Sequence, residues 1–375
     1  MKHTIFLTQR CNLACRYCYI QKQEKTLSLD KADEIIQFIF KHTPAGEKVD
    51  IGFFGGEPLL EFDLLKKITE KIIRHSSYRE NNVILNVVSN GTLFSDDIAA
   101  FLKEQSIGLG ISCDGLPAVQ NKTRPFKNGK GSSQIVEQNI LKALRWFPLM
   151  PVNAVYSADT LPFLPETVDY LSGLGIRNIY LNQDISSKWT ERDAGLLADI
   201  YTQIARKYLV FYLQGKPQYI SLIDSKIAVV LRGGYKTKEK CSMGKGELAY
   251  ATSGNIYPCE RLVEGDVGGI HCLGNVKNDT VLPVKCAAGA VGIVQNTECQ
   301  KCSLREYCMN WCGCTNYFAT GSYNRVNHFI CASEKAAIQA ALMVIEEAGK
   351  NGISFSEHLA GTPLMSIMNG AIKPS

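Results

Sequence analysis

The chain has 375 residues, is 45% hydrophobic and 21% charged, and carries a formal net charge of +5. That length accommodates a full catalytic domain plus something smaller, and the composition is that of an ordinary globular protein. No Lys/Arg block with interleaved aromatics marks a nucleic-acid partner. No signal-peptide pattern opens the chain, and no uninterrupted apolar run approaches the ~20 residues that cross a bilayer; neither nucleic acid nor membrane is expected as a partner, and a cytoplasmic location is.

The first 180 or so residues alternate between two textures. Short β-like runs fall at 3–8, 49–54, 83–88, 107–112, 151–156 and 176–181, with helix-like stretches between them near 30–42, 61–75, 95–105, 132–146 and 161–173. Leu29-Asp30 suits a helix start, and Ser95-Asp96-Asp97 puts acids in a first turn where the helix dipole favours them. Six β–α alternations predict a parallel sheet with helical crossovers, α/β in class, closing wholly or partly into a barrel with its site at the C-terminal ends of the strands. Residues 190–232 read as helical, with apolar spacing through Leu196, Leu197, Ile200, Ile204 and Tyr208. Beyond 241 the texture shifts to Gly, Asn, Cys and short strand-like pieces (ELAYAT, NIYP), as in a small domain held by metal. A helix returns from Ala332 to Ala348. The expected organisation is thus a core over 1–185, a helical linker over 186–235, a cysteine-rich domain over 236–335, and a C-terminal helix and tail over 336–375.

Fourteen cysteines in a chain without an export signal favour metal or redox chemistry over disulfides. Three lie within 11–18, one is Cys113, and ten fall between 241 and 331, which suggests two metal-bearing regions. Cys11, Cys15 and Cys18 follow the first strand directly. Three thiolates on a four-iron cluster leave one iron open to a chelating small molecule. A zinc site or a ferredoxin fragment is the alternative, but structural zinc wants four ligands and none is evident nearby, His3 being poorly placed in the strand. For 299–312 by itself, a zinc ribbon competes evenly with iron–sulfur.

The segment CNLACRYCY resembles the radical S-adenosylmethionine (SAM) signature, and further motifs follow in that family's order. Gly55-Gly56-Glu57-Pro58 resembles its GGEP motif, Ser89-Asn90-Gly91 its S/T-N-G turn, and Ser112-Cys113-Asp114-Gly115 its S-x-D-G segment. The resemblance spans about 3–181 and implies a partial TIM-like (β/α)6 barrel. It also implies that Cys11, Cys15 and Cys18 hold a [4Fe–4S] cluster, that Tyr17 packs near the adenine, and that the GGEP backbone meets the SAM amino group with Glu57 adding complementary charge. Ser89, Asn90, Ser112, Asp114 and Arg124 complete the implied SAM site, Arg124 being suited to pairing a carboxylate.

Downstream, Cys241, Cys259, Cys299, Cys302, Cys308, Cys312 and Cys331 resemble the seven-cysteine SPASM pattern of enzymes that modify peptides or proteins. The resemblance implies two auxiliary clusters: an outer one on Cys299, Cys302, Cys308 and Cys331, and an inner one on Cys241, Cys259 and Cys312. Cys314 is the preferred fourth inner ligand, with Cys272, Cys286 or an open site as rivals; Cys113 reads as a buried small hydrophobe. Met309, Asn310 and Trp311 stand where many SPASM domains have glycines.

The function implied is reductive cleavage of SAM to a 5′-deoxyadenosyl radical that abstracts hydrogen from a ribosomally made, Cys-containing peptide, installing a thioether or carbon–carbon link. A flavodoxin or ferredoxin would supply electrons. With the signature starting at residue 11, the leader would be read by the barrel, the SPASM surface or a separate protein. An anaerobic sulfatase-maturing enzyme is the alternative; there an Asp follows the cysteine equivalent to Cys259 and acts as base, and here Glu260 stands in that place, free to be a base or to pair with Arg261 or another cation. A non-catalytic iron–sulfur electron carrier would account for the cysteines but leaves GGEP without purpose.

Overall fold

The computed structural model describes residues 1–355 apart from 45, 81, 237–240, 242, 280, 283, 285–296 and 310–311. The chain forms two compact units. One comprises Met1–Cys113, Pro117–Met150 and Ser242–Val291, and the other Asp114–Leu116, Pro151–Cys241 and Gly292–Ser375.

In the first unit, strands β1 (Lys2–Thr8), β2 (Val49–Gly55), β3 (Val83–Ser89) and β4 (Ile107–Ser112) run parallel, joined through helices α1 (Leu29–His42), α2 (Phe62–Arg74) and α3 (Asp96–Glu104). Serines cap two of these helices: Ser28 Oγ accepts from Lys31 N and Ser95 Oγ from Ile98 N, satisfying otherwise orphaned first-turn amides. Helices α4 (Pro117–Thr123) and α5 (Ser133–Trp146) follow. The later segment then returns to the same sheet. Strand β8 (Glu247–Tyr250) lies parallel to β1 on the side away from β2, with β9 (Asn255–Tyr257) and β10 (Gly274–Asn275) added antiparallel. This explains why β1 is buried at every residue but its first: it is a central strand, covered on both faces and paired on both edges.

In the second unit, β5 (Pro151–Tyr156), β6 (Asn178–Gln183) and the two-residue β7 (Tyr219–Ile220) are parallel. Helix α6 (Leu164–Gly173) links β5 to β6. The stretch expected to be helical throughout 190–232 is two helices, α7 (Glu191–Leu213) and α8 (Ser221–Leu231), broken at Gly215 with φ 66°. Short helices α9 (Thr297–Gln300) and α10 (Gly313–Thr320) carry cysteines, and α11 (His328–Lys350) closes the described chain. By length and composition α11 is apolar enough to cross a membrane, which the run-by-run reading of the sequence did not show. Its buried side, rich in alanines (Ala336, Ala337, Ala340, Ala341, Ala348), packs on α7 and α8. All six strands expected in the first half of the chain are present, in an α/β arrangement with parallel neighbours and helical crossovers.

Candidate active site

The site is assembled where the parallel strands end. Beyond β1 the chain loops through Cys11, Cys15 and Cys18, with Cys11 buried and the other two half-buried. Backbone pairing fixes the loop against the segment after α4: Ala14 N donates to Pro125 O at 2.7 Å and Arg16 N to Thr123 O at 2.9 Å. Lys22 Nζ donates to Leu13 O at 2.6 Å. Two N–H groups point at the Cys11 sulfur, from Leu13 N at 3.4 Å and from Asn90 Nδ2 at 3.8 Å. Burial pushes the Cys11 thiol up, against the Leu13 amide. Donors aimed at sulfur in a buried pocket are what a metal-bound thiolate requires, so the loop's donor set fits an iron–sulfur cluster with three protein ligands.

The glycines of GGEP allow a close approach of backbones. A Cβ on Gly56 would lie 2.0 Å from Arg10 O, and one on Gly55, whose φ is 141°, would lie 2.2 Å from Thr8 O. Across this contact Gly56 N donates to Thr8 O and Glu57 N to Arg10 O, both at 2.8 Å. Pro58 begins a short 3-10 turn, Pro58–Glu61. Glu57, expected to complement the charge of SAM, is completely buried, and both its oxygens are engaged inside the protein. Oε1 accepts from Leu59 N at 3.0 Å and from the Ser89 hydroxyl at 2.9 Å; Oε2 accepts from Asn90 N at 2.6 Å. Burial raises its carboxyl, opposed by these donors and by Arg124. Asn90 in turn donates to Asn12 Oδ1 at 2.8 Å, and Asn12 to Thr92 Oγ1 at 2.7 Å. Asn12 and Thr92 were not among the residues expected at the site; each is adjacent to a motif residue, the only signal the sequence offered.

Ser112 is half-buried at the end of β4. Asp114, in the second unit, is buried and accepts from Val155 N at 2.9 Å. Arg124 is also buried, and its Nη1 donates to Tyr17 OH at 2.6 Å while the guanidinium lies over the Tyr17 ring, 5.9 Å from its centroid. The aromatic of the cysteine loop and the expected carboxylate-binding arginine are therefore in direct contact. Cys113 is buried, as a small hydrophobe would be.

The remaining cysteines divide between the units. In the first, Cys259 follows β9 and Cys272 packs with Cys18, Tyr19 and Phe54 on a cluster of Phe6, Ile20, Ala249, Ala251, Tyr257 and Val263. Cys272 Sγ donates to Gly274 O at 3.3 Å. Cys286 lies outside the described residues, as do Asn310 and Trp311. Glu260, the candidate base, lies 3.6 Å from Lys2 Nζ and is hydrogen-bonded to Glu247, itself 2.8 Å from that ammonium. Burial works to raise the Glu260 carboxyl, but Lys2 and the Glu247 hydrogen bond outweigh it and hold it below the usual carboxylate range. Burial and the Glu260 charge push the Glu247 carboxyl up.

In the second unit, Cys299 and Cys302 share one turn, with Cys302 N on Cys299 O at 3.3 Å. Cys308 follows a short 3-10 turn, Arg305–Tyr307, and Cys331 lies in the first turns of α11. Cys312 and Cys314 bring their sulfurs to 3.7 Å, and Cys312 Sγ lies 3.1 Å from Thr315 Oγ1. Cys241 is half-buried at the end of this unit's middle segment.

Comparison with known proteins agrees with this geometry. Residues 5–149 match the model of the Radical SAM superfamily. The uncharacterized protein MJ0907 of Methanocaldococcus jannaschii is 31% identical over 291 residues, which cover 76% of this chain and 92% of that one. A serine-type anaerobic sulfatase-maturating enzyme of Klebsiella aerogenes is 24% identical, covering 84% of this chain and 80% of its own. The solved structure of native anSMEcpe with bound AdoMet and Cp18Cys peptide superposes with a TM-score of 0.75 at 18% identity, covering 93% of this chain and 99% of that one. The chain belongs to the radical SAM superfamily, as an enzyme of the SPASM type that uses S-adenosylmethionine and iron–sulfur clusters.

Proposed function

We propose that this enzyme is a peptide maturase, abstracting hydrogen from a ribosomally made peptide and installing a thioether or carbon–carbon link. Cys11, Cys15 and Cys18 hold the cluster that binds SAM. Tyr17, Gly55, Gly56, Pro58, Ser89, Asn90, Ser112, Asp114 and Arg124 shape the SAM site, and Glu57 acts there by fixing Ser89 and Asn90. Cys299, Cys302, Cys308 and Cys331 carry the outer auxiliary cluster; Cys241, Cys259 and Cys312 carry the inner one, for which the 3.7 Å Cys312–Cys314 approach supports Cys314 as fourth ligand. When bound, cluster and SAM supply one-electron cleavage to methionine and a 5′-deoxyadenosyl radical; the protein's share is to bind, orient and exclude water. On this reading 1–185 is the barrel, 186–235 a linker, 236–335 the auxiliary-cluster region and 336–375 a C-terminal helix and tail. A flavodoxin or ferredoxin supplies the electron, and a separate protein or the enzyme's own surface presents the peptide.

The observation that supports the cross-linking reading over sulfatase maturation is the pairing of Glu260 with Lys2. A carboxylate 3.6 Å from the Lys2 ammonium is held as an anion and is a weaker base for it. The likeness to the Klebsiella aerogenes enzyme favours the second reading, oxidation of a sulfatase side chain to formylglycine. Product mass separates them. A cross-link removes two hydrogens from the peptide, whereas formylglycine formation at a cysteine also removes its sulfur. Failure of the fully reconstituted, reduced protein to release 5′-deoxyadenosine from SAM would sink both.

A further inference from the structure

The second unit buries a charged pair that no step above uses. Lys226 on α8 has a side chain only 4% exposed, and its Nζ lies 2.6 Å from Glu334 Oε2 on α11. The ammonium also donates to Tyr307 O at 3.2 Å and to Tyr235 OH at 3.3 Å. Glu334 Oε2 accepts from Met309 N at 2.5 Å. Tyr307 and Met309 are the immediate neighbours of Cys308, so the cation holds the peptide group before that cysteine and the anion holds the one after it. Glu334 also follows Cys331 by one turn of α11. Three separate segments thus converge on the two flanks of one cysteine.

A buried ion pair costs several kcal/mol of desolvation and is weak evidence for stability alone; an apolar pair of similar volume would join α8 and α11 at least as well. What an apolar pair lacks is charge. A cluster held by four thiolates is anionic and gains one more negative charge on reduction, so the Lys226 cation favours the reduced form and offsets the Glu334 carboxylate, whose charge acts on Cys308 in the opposite sense. We propose that Lys226 is a positioning residue of the outer auxiliary cluster. With Glu334 it fixes the backbone on both sides of Cys308, and its charge raises the cluster's reduction potential. This inference rests on the reading that Cys299, Cys302, Cys308 and Cys331 hold that cluster.

The test uses the full chain carrying Cys11→Ala, Cys15→Ala and Cys18→Ala, reconstituted anaerobically with iron and sulfide, so that only auxiliary clusters contribute to the spectrum. Dithionite, with mediators, supplies the electron in a titration followed by electron paramagnetic resonance. Adding Cys302→Ala identifies the outer cluster by the signal it removes. Lys226→Met should shift that signal's reduction equilibrium about tenfold toward the oxidised form, about 59 mV more negative for a one-electron couple. Lys226→Arg should restore it. Glu334→Gln, which removes an anion while keeping an acceptor for Met309 N, should shift it the opposite way. If Lys226→Met fails to assemble the cluster, Glu334→Gln alone decides. An outer signal at the parent potential in the assembled variants overturns the proposal. If Cys302→Ala removes no signal, the ligand reading itself falls and the inference falls with it.

Discussion

The contact between the GGEP segment and the end of β1 can be tested by one methyl group. Gly56 has an ordinary φ, so Gly56→Ala adds no backbone strain and probes the contact alone. The new Cβ would sit 2.0 Å from Arg10 O, 2.6 Å from Arg10 C and 3.0 Å from Gln9 O, all backbone atoms that cannot rotate away. Relief to a van der Waals distance of roughly 3.3 Å needs the two chains to part by about 1.3 Å. The Gly56 N–Thr8 O and Glu57 N–Arg10 O hydrogen bonds, both 2.8 Å, would then open to roughly 4 Å, beyond bonding distance. Two net hydrogen bonds at ~1 kcal/mol each, plus the cost of leaving partly buried groups unpaired, come to about 3–5 kcal/mol. That is a large share of the 5–15 kcal/mol typical of a domain. Urea unfolding of the cluster-free protein should show the loss, and reconstituted variant should hold SAM at least tenfold more weakly, since Arg10 directly precedes Cys11. Gly195→Ala is the control: it lies in α7 with nothing within 4 Å of an added Cβ, so it should stabilise by up to about 1 kcal/mol. A Gly56→Ala protein with parental stability and SAM affinity would refute the close approach.

Other expectations follow from the same contacts. Asp224 accepts from Tyr208 OH at 2.7 Å and Ile220 N at 2.6 Å, yet burial raises its carboxyl from 3.8 to about 7. Because the folded value is the higher one, its effect is absent below pH 4, destabilises the fold progressively as pH rises toward 7, and is complete above that, reaching at most about 4 kcal/mol. The stability of the parent relative to Asp224→Asn should therefore fall between pH 4.5 and 8; a difference that stays flat with pH counts against it. Glu260→Gln should slow turnover by less than tenfold, whereas loss of a true general base would cost about 10²–10⁴-fold. Glu57→Gln and Ser89→Ala, which share one hydrogen bond, should be non-additive in unfolding free energy by about 0.5–3 kcal/mol, and strict additivity would show that they act separately. Cys302→Ala should depress turnover while leaving SAM affinity near the parent's, measured by equilibrium dialysis.

The sequence was most legible where a local pattern decides the structure. The strands over 107–112 and 151–156 match the structure at both ends, because each is a short apolar run between turn residues. The sixth strand was placed two residues early, at 176–181 instead of Asn178–Gln183: Ile176 is buried like a strand residue but belongs to the turn that enters it. The break between α7 and α8 had a visible cause, Gly215-Lys216-Pro217, which the apolar spacing on either side obscured. The pairing of β8 with β1 could not be read locally. Four residues, Glu247–Tyr250, have no periodicity long enough to assign a partner, and the partner lies about 245 residues away. Nor does the first strand's own sequence disclose it: Lys2, His3, Thr4 and Thr8 are polar, and only the burial of the last three in the structure shows a central strand. The side chains of the site divide in the same way. Cysteine spacing marks donor atoms regardless of their surroundings, but whether a carboxylate faces a ligand or the protein depends on neighbouring strands, and so the partners of Glu57 and Glu260 could not be read from the sequence.

Glu57 also explains why the motifs occur in a fixed order along the chain. In a parallel sheet the C-terminal ends of neighbouring strands lie about 4.8 Å apart, so the residues just beyond each strand meet those of the next. Here β1, β2 and β3 are successive neighbours, and their ends carry the cysteine loop, GGEP and Ser-Asn-Gly respectively. Glu57 joins the second to the third through Ser89 and Asn90, and Asn90 joins the third to the first through Cys11 and Asn12. The glycines close the remaining side by letting β2 run on against Thr8 and Arg10. Motifs dozens of residues apart are therefore one hydrogen-bonded ring around the cysteine loop. A carboxylate buried at its centre is held by donors from two strand ends, and if either end shifts, that carboxylate loses partners it cannot replace from water. The Cys11 end of the loop is thereby held in place by a network most of whose members were recognisable in the sequence and whose connections were not.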